Sequence, residues 1–460
     1  MIVGELKIQD VDTPKQWPQY VACTAAALSI TAGATQFSWA SPSIPKLLEP
    51  EYGLSIEQAS YIPLIEPIAM FIFSPIYSKL MDVVGRKQSL LHTGVALILA
   101  WLFLIFSKNL ICIYITKVFS GIADACYLSI LPVYIAEVSV PNVRDGFGNI
   151  LMVMLFGGQF IINCVGYYAD IQLTACIMLS LPILFMVTFI FMPESPYYCI
   201  MKKDYQGARK SLKFLRRIEN VDPELEQLKR DIERQLSESG TFKDLFMIKS
   251  NRKAVYIANI TRMVQQVSGL GTFAMYAQLI FQQAGGEISS GVATMIFTAF
   301  LTVSNFYSRF FTTRLGKKMA MVYSSIGCGL ALLSESIYFF LDLHTSIDVS
   351  SISWFPVLGL VVYVCLTAIG LGPIPNVILG EIFSASIKKK AMTISNMIFA
   401  IYLMAFPKIF QLLMTNFSLF VPFTIYAVCT LLGAIACYFM VPDTTGKTLE
   451  EIQQMLKGSD

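Results

Sequence analysis

Charge is the scarcest ingredient of this 460-residue chain. Asp, Glu, Lys and Arg make up 14% of it, against about 25% in a water-soluble domain. With hydrophobic residues at 55% and a mean hydropathy of +0.61, a disordered chain, a coiled coil, a small secreted scaffold and a soluble enzyme are excluded. Histidine is nearly absent: His92 and His344 are the only two, too few for a His-based metal site or a His-dependent triad. The ten cysteines form no C-x-x-C pair. Cys23, Cys126, Cys164, Cys176, Cys328, Cys365, Cys429 and Cys437 sit in apolar runs and read as small buried hydrophobes. A net charge of +3 is too small to imply nucleic acid. Met1 to Pro18 lacks the apolar core of a cleaved signal peptide. With no nucleophile–base set and no phosphate loop, no enzyme activity, metal or cofactor is expected.

Long apolar runs are what the chain has in plenty. A membrane-crossing helix needs about 20 mostly apolar residues, and twelve such spans can be placed, at roughly 19–40, 59–79, 88–107, 110–133, 147–169, 173–192, 254–281, 289–311, 319–341, 353–380, 391–414 and 418–440. The expected class is therefore an all-α membrane protein with twelve transmembrane helices. Several spans contain Pro or Gly, which a bundle interior tolerates by re-satisfying the freed backbone groups. The tenth, with Gly370, Gly372, Pro373 and Pro375, is expected to be kinked or broken.

Lys and Arg orient the chain. With the N-terminus inside, the inside segments carry 29 of the 34 basic residues, counting Lys79 and Arg309 at the inner ends of spans two and eight; the outside loops carry Lys46 and Lys108, and Lys117, Arg262 and Lys408 lie deeper within spans. Both termini are thus expected in the cytoplasm, in a plasma-membrane protein. The expected organisation is an N-tail (1–18), a six-helix half (19–192), a linker (193–253), a second six-helix half (254–440) and a C-tail (441–460). In the linker, Glu224, Glu226, Lys229, Arg230, Asp231, Glu233 and Arg234 alternate in sign at helical spacing, which predicts short amphipathic helices.

The halves echo each other. Asp82-Val83-Val84-Gly85-Arg86-Lys87 follows the second span, and Thr313-Arg314-Leu315-Gly316-Lys317-Lys318 follows the eighth. Pro132 to Glu137, with Arg144, follows the fourth; Gly380-Glu381-Ile382-Phe383, then Lys388 to Lys390, follows the tenth. Parallel repeats of this kind belong to transporters with a midplane site between two pseudo-twofold-related halves.

Further motifs sharpen the pattern. Pro193-Glu194-Ser195-Pro196 follows span six, Gln265-Gln266-Val267-Ser268-Gly269 lies in span seven, and Gly372-Pro373-Ile374-Pro375 lies in span ten. Pro442-Asp443-Thr444-Thr445-Gly446-Lys447, then Leu449-Glu450-Glu451-Ile452, follow span twelve. Together with D-x-x-G-R-K at 82–87 and P-x-Y-x-x-E at 132–137, they run nearly the length of the chain. In this the chain resembles the sugar porters of the major facilitator superfamily, and among them the insect facilitated trehalose transporters, as a divergent member.

Two functional regions follow. Gly85 permits a tight loop that brings Arg86 and Lys87 against neighbouring helix ends, level with Asp82, Glu137 and Arg144. Charge-assisted bonds there hold one half together and bias inward against outward opening. In the second half Thr313 and Lys317 replace the Asp and Arg, and Lys makes no forked bond, so the latch built on Glu381 is expected to be the weaker. A sugar site needs uncharged donors and acceptors, and Gln265 and Gln266 supply amides. The resemblance implies that they face the cavity, with Tyr276. The alternative is a structural helix–helix link.

Several family positions are altered. Met152 stands where the resemblance implies Gln, Gly271 where it implies Asn, Asn376 where it implies Trp, Met397 where it implies an aromatic, and Lys117 where it implies Arg. These changes remove hydrogen bonds and a stacking surface, so Asn376 and the methionines are expected to line a differently polar cavity. Thr35 and Gln36 replace the first-span acid of proton-coupled relatives, which argues for facilitated diffusion. Glu66 and Asp124 nonetheless lie within spans two and four, where a carboxylate is a functional candidate. At 1.5 Å per residue, Glu66 would lie about 12 Å deep and Lys117 about 8–10 Å, close enough to pair; a cavity carboxylate and a proton-coupling group are the other readings. The sequon at Asn416 abuts a span, and the one at Asn259 opens span seven.

The leading expectation is a monomeric, lipid-embedded uniporter of a sugar-like solute such as trehalose or a hexose. The alternatives are a solute sensor of the same fold and a carrier of a different small polar solute.

Overall fold

A computed structural model describes residues 15–106, 109–237, 240–347, 349–445, 447 and 449–457. Most of the N-tail, Lys108, Gly446 and the last three residues of the C-tail lie outside the described residues. Every element found is helical apart from short connections.

The first group of helices is α1 (Trp17–Ser38), α2 (Ala40–Leu47), α3 (Ile56–Val83), α4 (Arg86–Phe106), α5 (Leu110–Val138), α6 (Pro141–Tyr168), α7 (Ile171–Met178) and α8 (Ser180–Phe189). Short helices follow: α9 (Pro196–Met201), α10 (Tyr205–Arg216), α11 (Asp222–Ser237) and α12 (Phe242–Met247). The second group is α13 (Lys249–Val267), α14 (Leu270–Ala284), α15 (Ser290–Leu315), α16 (Lys317–His344), α17 (Phe355–Ile369), α18 (Ile374–Glu381), α19 (Ala385–Asn416) and α20 (Phe420–Met440). A final helix, α21, spans Leu449–Lys457.

Ten helical segments among the described residues are long and apolar enough to cross a membrane. The expected spans at 19–40 and 254–281 are helical but fall short of that measure, and the reason is physical. α1 is built from Ala, Ser, Thr and Gln; Ser29, Thr35, Gln36 and Ser38 are fully buried. Wrapped by protein, it needs no apolar surface for lipid. The other segment is interrupted at Ser268–Gly269, where Gly269 has φ +96°, a left-handed conformation that glycine adopts without a Cβ penalty. Proline spacing foreshadows the tenth-span break, between Ile369 and Ile374, but the seventh-span break was not anticipated. Pro63, Pro67 and Pro75 stay inside α3 without ending it.

Within the first group, α3 packs on α5, α4 on α5 and α1 on α6; within the second, α16 packs on α17 and α20. The groups meet along α6–α15, α3–α19 and α2–α14. Small residues set the closest approaches. A Cβ on Gly121 of α5 would collide with the Glu66 carbonyl of α3 and sit 2.7 Å from the Ala69 Cβ; one on Gly158 of α6 would collide with the Thr31 carbonyl of α1. Such contacts between backbones are how membrane helices gain packing energy without a hydrophobic drive.

Replacing Gly121 by Val should push α3 from α5 and cost about 1–3 kcal/mol, read as a lowered unfolding midpoint in detergent. Gly146→Ala, where an added Cβ meets nothing within 4 Å, should leave the midpoint unchanged or slightly raised.

Candidate functional site

Two interrupted helices meet in the second half. Breaking a helix frees carbonyls and N–H groups that lipid cannot satisfy, and here the two breaks satisfy each other. Gln265 Nε2 donates to the carbonyls of Leu371 (3.1 Å) and Gly372 (2.6 Å) in the α17–α18 break. Tyr363 of α17 donates its hydroxyl to the Ser268 carbonyl in the α13–α14 break at 3.0 Å. Leu371 N–H donates to Ser324 Oγ at 3.0 Å. The amide nitrogen of Gln265 is thus committed to backbone, the helix–helix link weighed against a solute contact.

Gln266 is different. It is 4% exposed, its side-chain amide has no hydrogen-bond partner among the described residues, and its Oε1 lies over Gly271, where an added Cβ would sit 2.5 Å from it. Gly271 therefore leaves room for this amide to turn. Tyr276 is sealed at 2% exposure within the apolar core of the second half. Met152, half-buried, reaches from α6 onto that same core, and Met397 is half-buried on α19. Asn376, half-buried on α18, accepts from Arg262 Nη2 at 3.0 Å.

Arg262 is the main residue that sequence reasoning left out of the site. It lies three and four residues before the two glutamines, on their side of α13, and Asn396 Oδ1 takes its Nη1 at 3.1 Å. That spacing was the available signal. On the first-half side, Gln36 has both amide atoms buried without a partner, and Gln159 and Asn163 of α6 each bury an unpartnered carbonyl oxygen. The Asn163 amide donates to Ser38 Oγ (3.2 Å), which donates to the Ala274 carbonyl of α14 (2.7 Å), linking the halves. The i, i+4 pair Gln159–Asn163, one turn to the next on α6, is legible in hindsight. Glu335 of α16, also overlooked, is fully buried with neither oxygen bonded.

The three intramembrane charges come together in the first half. Lys117 Nζ reaches Glu66 Oε2 at 2.8 Å and donates to the Gln36 carbonyl, with the Trp39 ring 5.5 Å away. Ser120 donates to Glu66 Oε1 at 2.6 Å. Asp124, one turn further along α5, is buried with Oδ1 unpartnered. The ammonium therefore ties α1, α3 and α5 together.

The latch residues cluster where α9–α12 lie. Arg86 forks onto Glu137 with Nε–Oε2 at 2.9 Å and Nη2–Oε1 at 3.0 Å, gives Nη1 to the Met81 carbonyl at 3.0 Å, and has Asp82 at 3.4 Å. Ser195 also donates to Glu137. Glu194 accepts from the N–H groups of Arg86 (3.0 Å), Lys87 (3.0 Å) and Ser195 (2.7 Å). Burial pushes the Glu194 carboxyl above its ordinary range, opposed by these donors and by Arg86. Gly85, at φ +105°, is needed twice, because a Cβ there would collide with that carboxylate.

Arg144 does not join this cluster. It donates to the carbonyls of Ala136 and Ser139, while Arg86 and Ser195 bond to Glu137. In the second half Lys317 Nζ meets both oxygens of Glu381 (2.6 and 2.7 Å), Thr444 donates to Glu381 at 3.0 Å, and Thr445 Oγ1 accepts the Lys317 N–H at 2.8 Å. Thr444 and Thr445 thus play the parts of Ser195 and Glu194. Asn259 is buried and donates to the Val255 carbonyl, while Asn416 is exposed at the end of α19.

Interrupted helices lined by buried amides, within the second of two packed groups of membrane helices, are an arrangement suited to a solute carrier. The likeness to solved structures gives the same fold. A proton:xylose symporter bound to 6-bromo-6-deoxy-D-glucose superposes with a TM-score of 0.76 at 19% identity, over 95% of this chain and 99% of that one. An inward-open xylose transporter of E. coli gives 0.75 at 18%, over 95% and 99%. The family described as "Sugar (and other) transporter" matches residues 45–456. Facilitated trehalose transporters are 30% identical in Bombyx mori, over 96% of this chain and 87% of theirs, and 30% in Polypedilum vanderplanki, over 99% and 92%. The chain belongs to this sugar transporter family, whose members are carriers and not enzymes.

Lys117→Met should leave the Glu66 carboxylate buried and alone, costing about 3–5 kcal/mol; the double variant Lys117→Met/Glu66→Gln should recover part of that loss in a thermal-shift measurement. For the latch, Arg86→Ala should open the α9–α12 end more than Lys317→Ala does. Maleimide labelling of Ser78→Cys, in a background with Cys176 and the half-buried cysteines replaced, reads that opening as a faster rate.

Proposed function

We propose that the protein is a facilitative carrier of a sugar-like solute, such as trehalose or a hexose, working by alternating access. The names of its relatives and the amide-walled breaks of α13–α14 and α17–α18 support this reading. Twelve spans form two six-helix halves when α1 and α13–α14 are counted with the ten more apolar segments. The Arg86–Glu137 and Lys317–Glu381 clusters, at matching places, support a pseudo-twofold relation between them. The positive-inside count supports cytoplasmic termini; the proposed setting is the plasma membrane and the proposed state a monomer.

The observation that carries the mechanism is that bonds cross between the halves at both ends. At the α9–α12 end Lys389 meets Asp82, and Ser78 meets Thr393 at 2.7 Å. At the other end Lys408 donates to Ser60 (2.7 Å), and the Gln278 N–H to Ser41 Oγ (3.3 Å). Opening toward either side must break one set and can keep the other, which makes rocking of one half against the other the natural motion. Gln266, the free amide between them, meets solute hydroxyls. Glu66 is held by Lys117 and Ser120, so no proton cycle is needed.

Counterflow in proteoliposomes tests this. Labelled trehalose or glucose should exchange at a rate indifferent to external pH, and Gln266→Ala should slow it at least tenfold. A parent protein that exchanges no sugar would favour the sensor reading.

A further inference from the structure

Three buried or half-buried cationic side chains lie within the spans, Lys117, Arg262 and Lys408, and among the described residues Lys117 alone of the three has a carboxylate partner. Arg262 and Lys408 have none within 4.0 Å among the described residues. Arg262 lies 13 residues past Lys249, about 20 Å up α13 at 1.5 Å per residue. It is 5% exposed. Its bonds go to the neutral amide oxygens of Asn376 and Asn396, its guanidinium lies 4.6 Å from the Phe399 ring, and its Nε has no partner.

No carboxylate of the surrounding elements pairs with Arg262 among the described residues; α12, with Asp244, and α21, with Glu451, pack on α13 toward its Lys249 end. α13, α14, α19 and α20 contain no acidic residue at all. The single acid of α18, Glu381, is taken by Lys317. A lone buried carboxyl can take up a proton and become neutral; a guanidinium cannot shed one. An uncompensated buried cation costs several kcal/mol, and an anion entering between the halves removes that cost. Lys408 repeats the pattern toward the far end: Ser60, Gln411 (3.1 Å) and the Tyr61 ring (5.0 Å) are its neutral partners. Two unpaired cations thus mark the second-half wall at different depths.

We infer that the preferred solute is a hydroxylated monocarboxylate, a sugar acid, whose carboxylate lands on Arg262 while its hydroxyls meet Gln266 and the other unpaired amides. The inference rests on the carrier reading and narrows its solute. A guanidinium fork suits a carboxylate. A phosphate ester, with about −1.5 to −2 charge, would overrun a single guanidinium, which favours the monocarboxylate.

The test uses the full-length protein in proteoliposomes, with labelled gluconate and labelled glucose as probes. Gluconate should exchange at least tenfold faster than glucose at equal concentration. Each turnover then moves one negative charge, so an inside-positive potential set with potassium and valinomycin should raise gluconate uptake several-fold over an inside-negative one. Arg262→Gln should cut gluconate flux at least tenfold, and Arg262→Lys less; Lys408→Gln should slow entry. Glucose exchange that gluconate neither replaces nor competes with overturns the anion assignment and leaves the carrier reading standing. No exchange of either solute overturns both. Gluconate flux untouched by Arg262→Gln overturns the role of that residue, and if the variant fails to fold, the potential dependence of the parent decides.

Discussion

The bilayer offers no water to a stray N–H or carbonyl, and this constraint shapes the protein more than any single contact. A helix hidden in lipid must close its own ladder, yet a solute path needs exposed polar groups. The chain meets both demands by placing its interruptions together. Gln265 fills the gap in α17–α18 and Tyr363 fills the gap in α13–α14, so each break is the other's solvent. Gly269 and the Gly370–Pro373 segment are where that exchange becomes possible.

Much of this architecture can be read directly from the residues, because lipid makes hydropathy a strict rule. The spans that hold Leu, Ile, Phe and Val in quantity appear where the composition puts them. α1 escapes that rule since protein, not lipid, surrounds it, and only its small residues hint at this. The contact between Arg86 and Glu137 was legible, since their motif encodes a tight loop and a carboxylate at one level. The motif does not say which acceptor Arg144 takes, since it records residue types and not which acceptor is already occupied; here Arg144 bonds to backbone carbonyls. Lys117 and Glu66 meet as their depths on α5 and α3 allow. The solute wall was the least legible part. Gln265 and Gln266 are neighbours in sequence, yet one is spent on backbone and the other is free, a difference set entirely by α18 and Gly271. Arg262 looked like one more basic residue until its neutral surroundings were visible.

The two latches show how one geometry survives different chemistry. In the first half a guanidinium fork, a serine hydroxyl and a carboxylate collecting three N–H groups do the holding. In the second, an ammonium and two threonine hydroxyls fill the same places. Planar, bidentate pairing is the stronger and the more directional of the two. The bonding around Arg86 is therefore the more constrained of the two, and that around Lys317 the less directional.

Asp82 belongs to both kinds of contact. It neighbours Arg86 within its own half and meets Lys389 across the gap, with about a third of its side chain open to the aqueous side. Mobile ions reach such a carboxylate easily, and at physiological ionic strength they weaken exposed attractions beyond about 8 Å. Asp82 and Lys389 touch, so dissolved salt dulls their pull on distant charges and leaves the contact itself in place, a half-open rivet between two groups of helices beside the more buried Arg86–Glu137 fork.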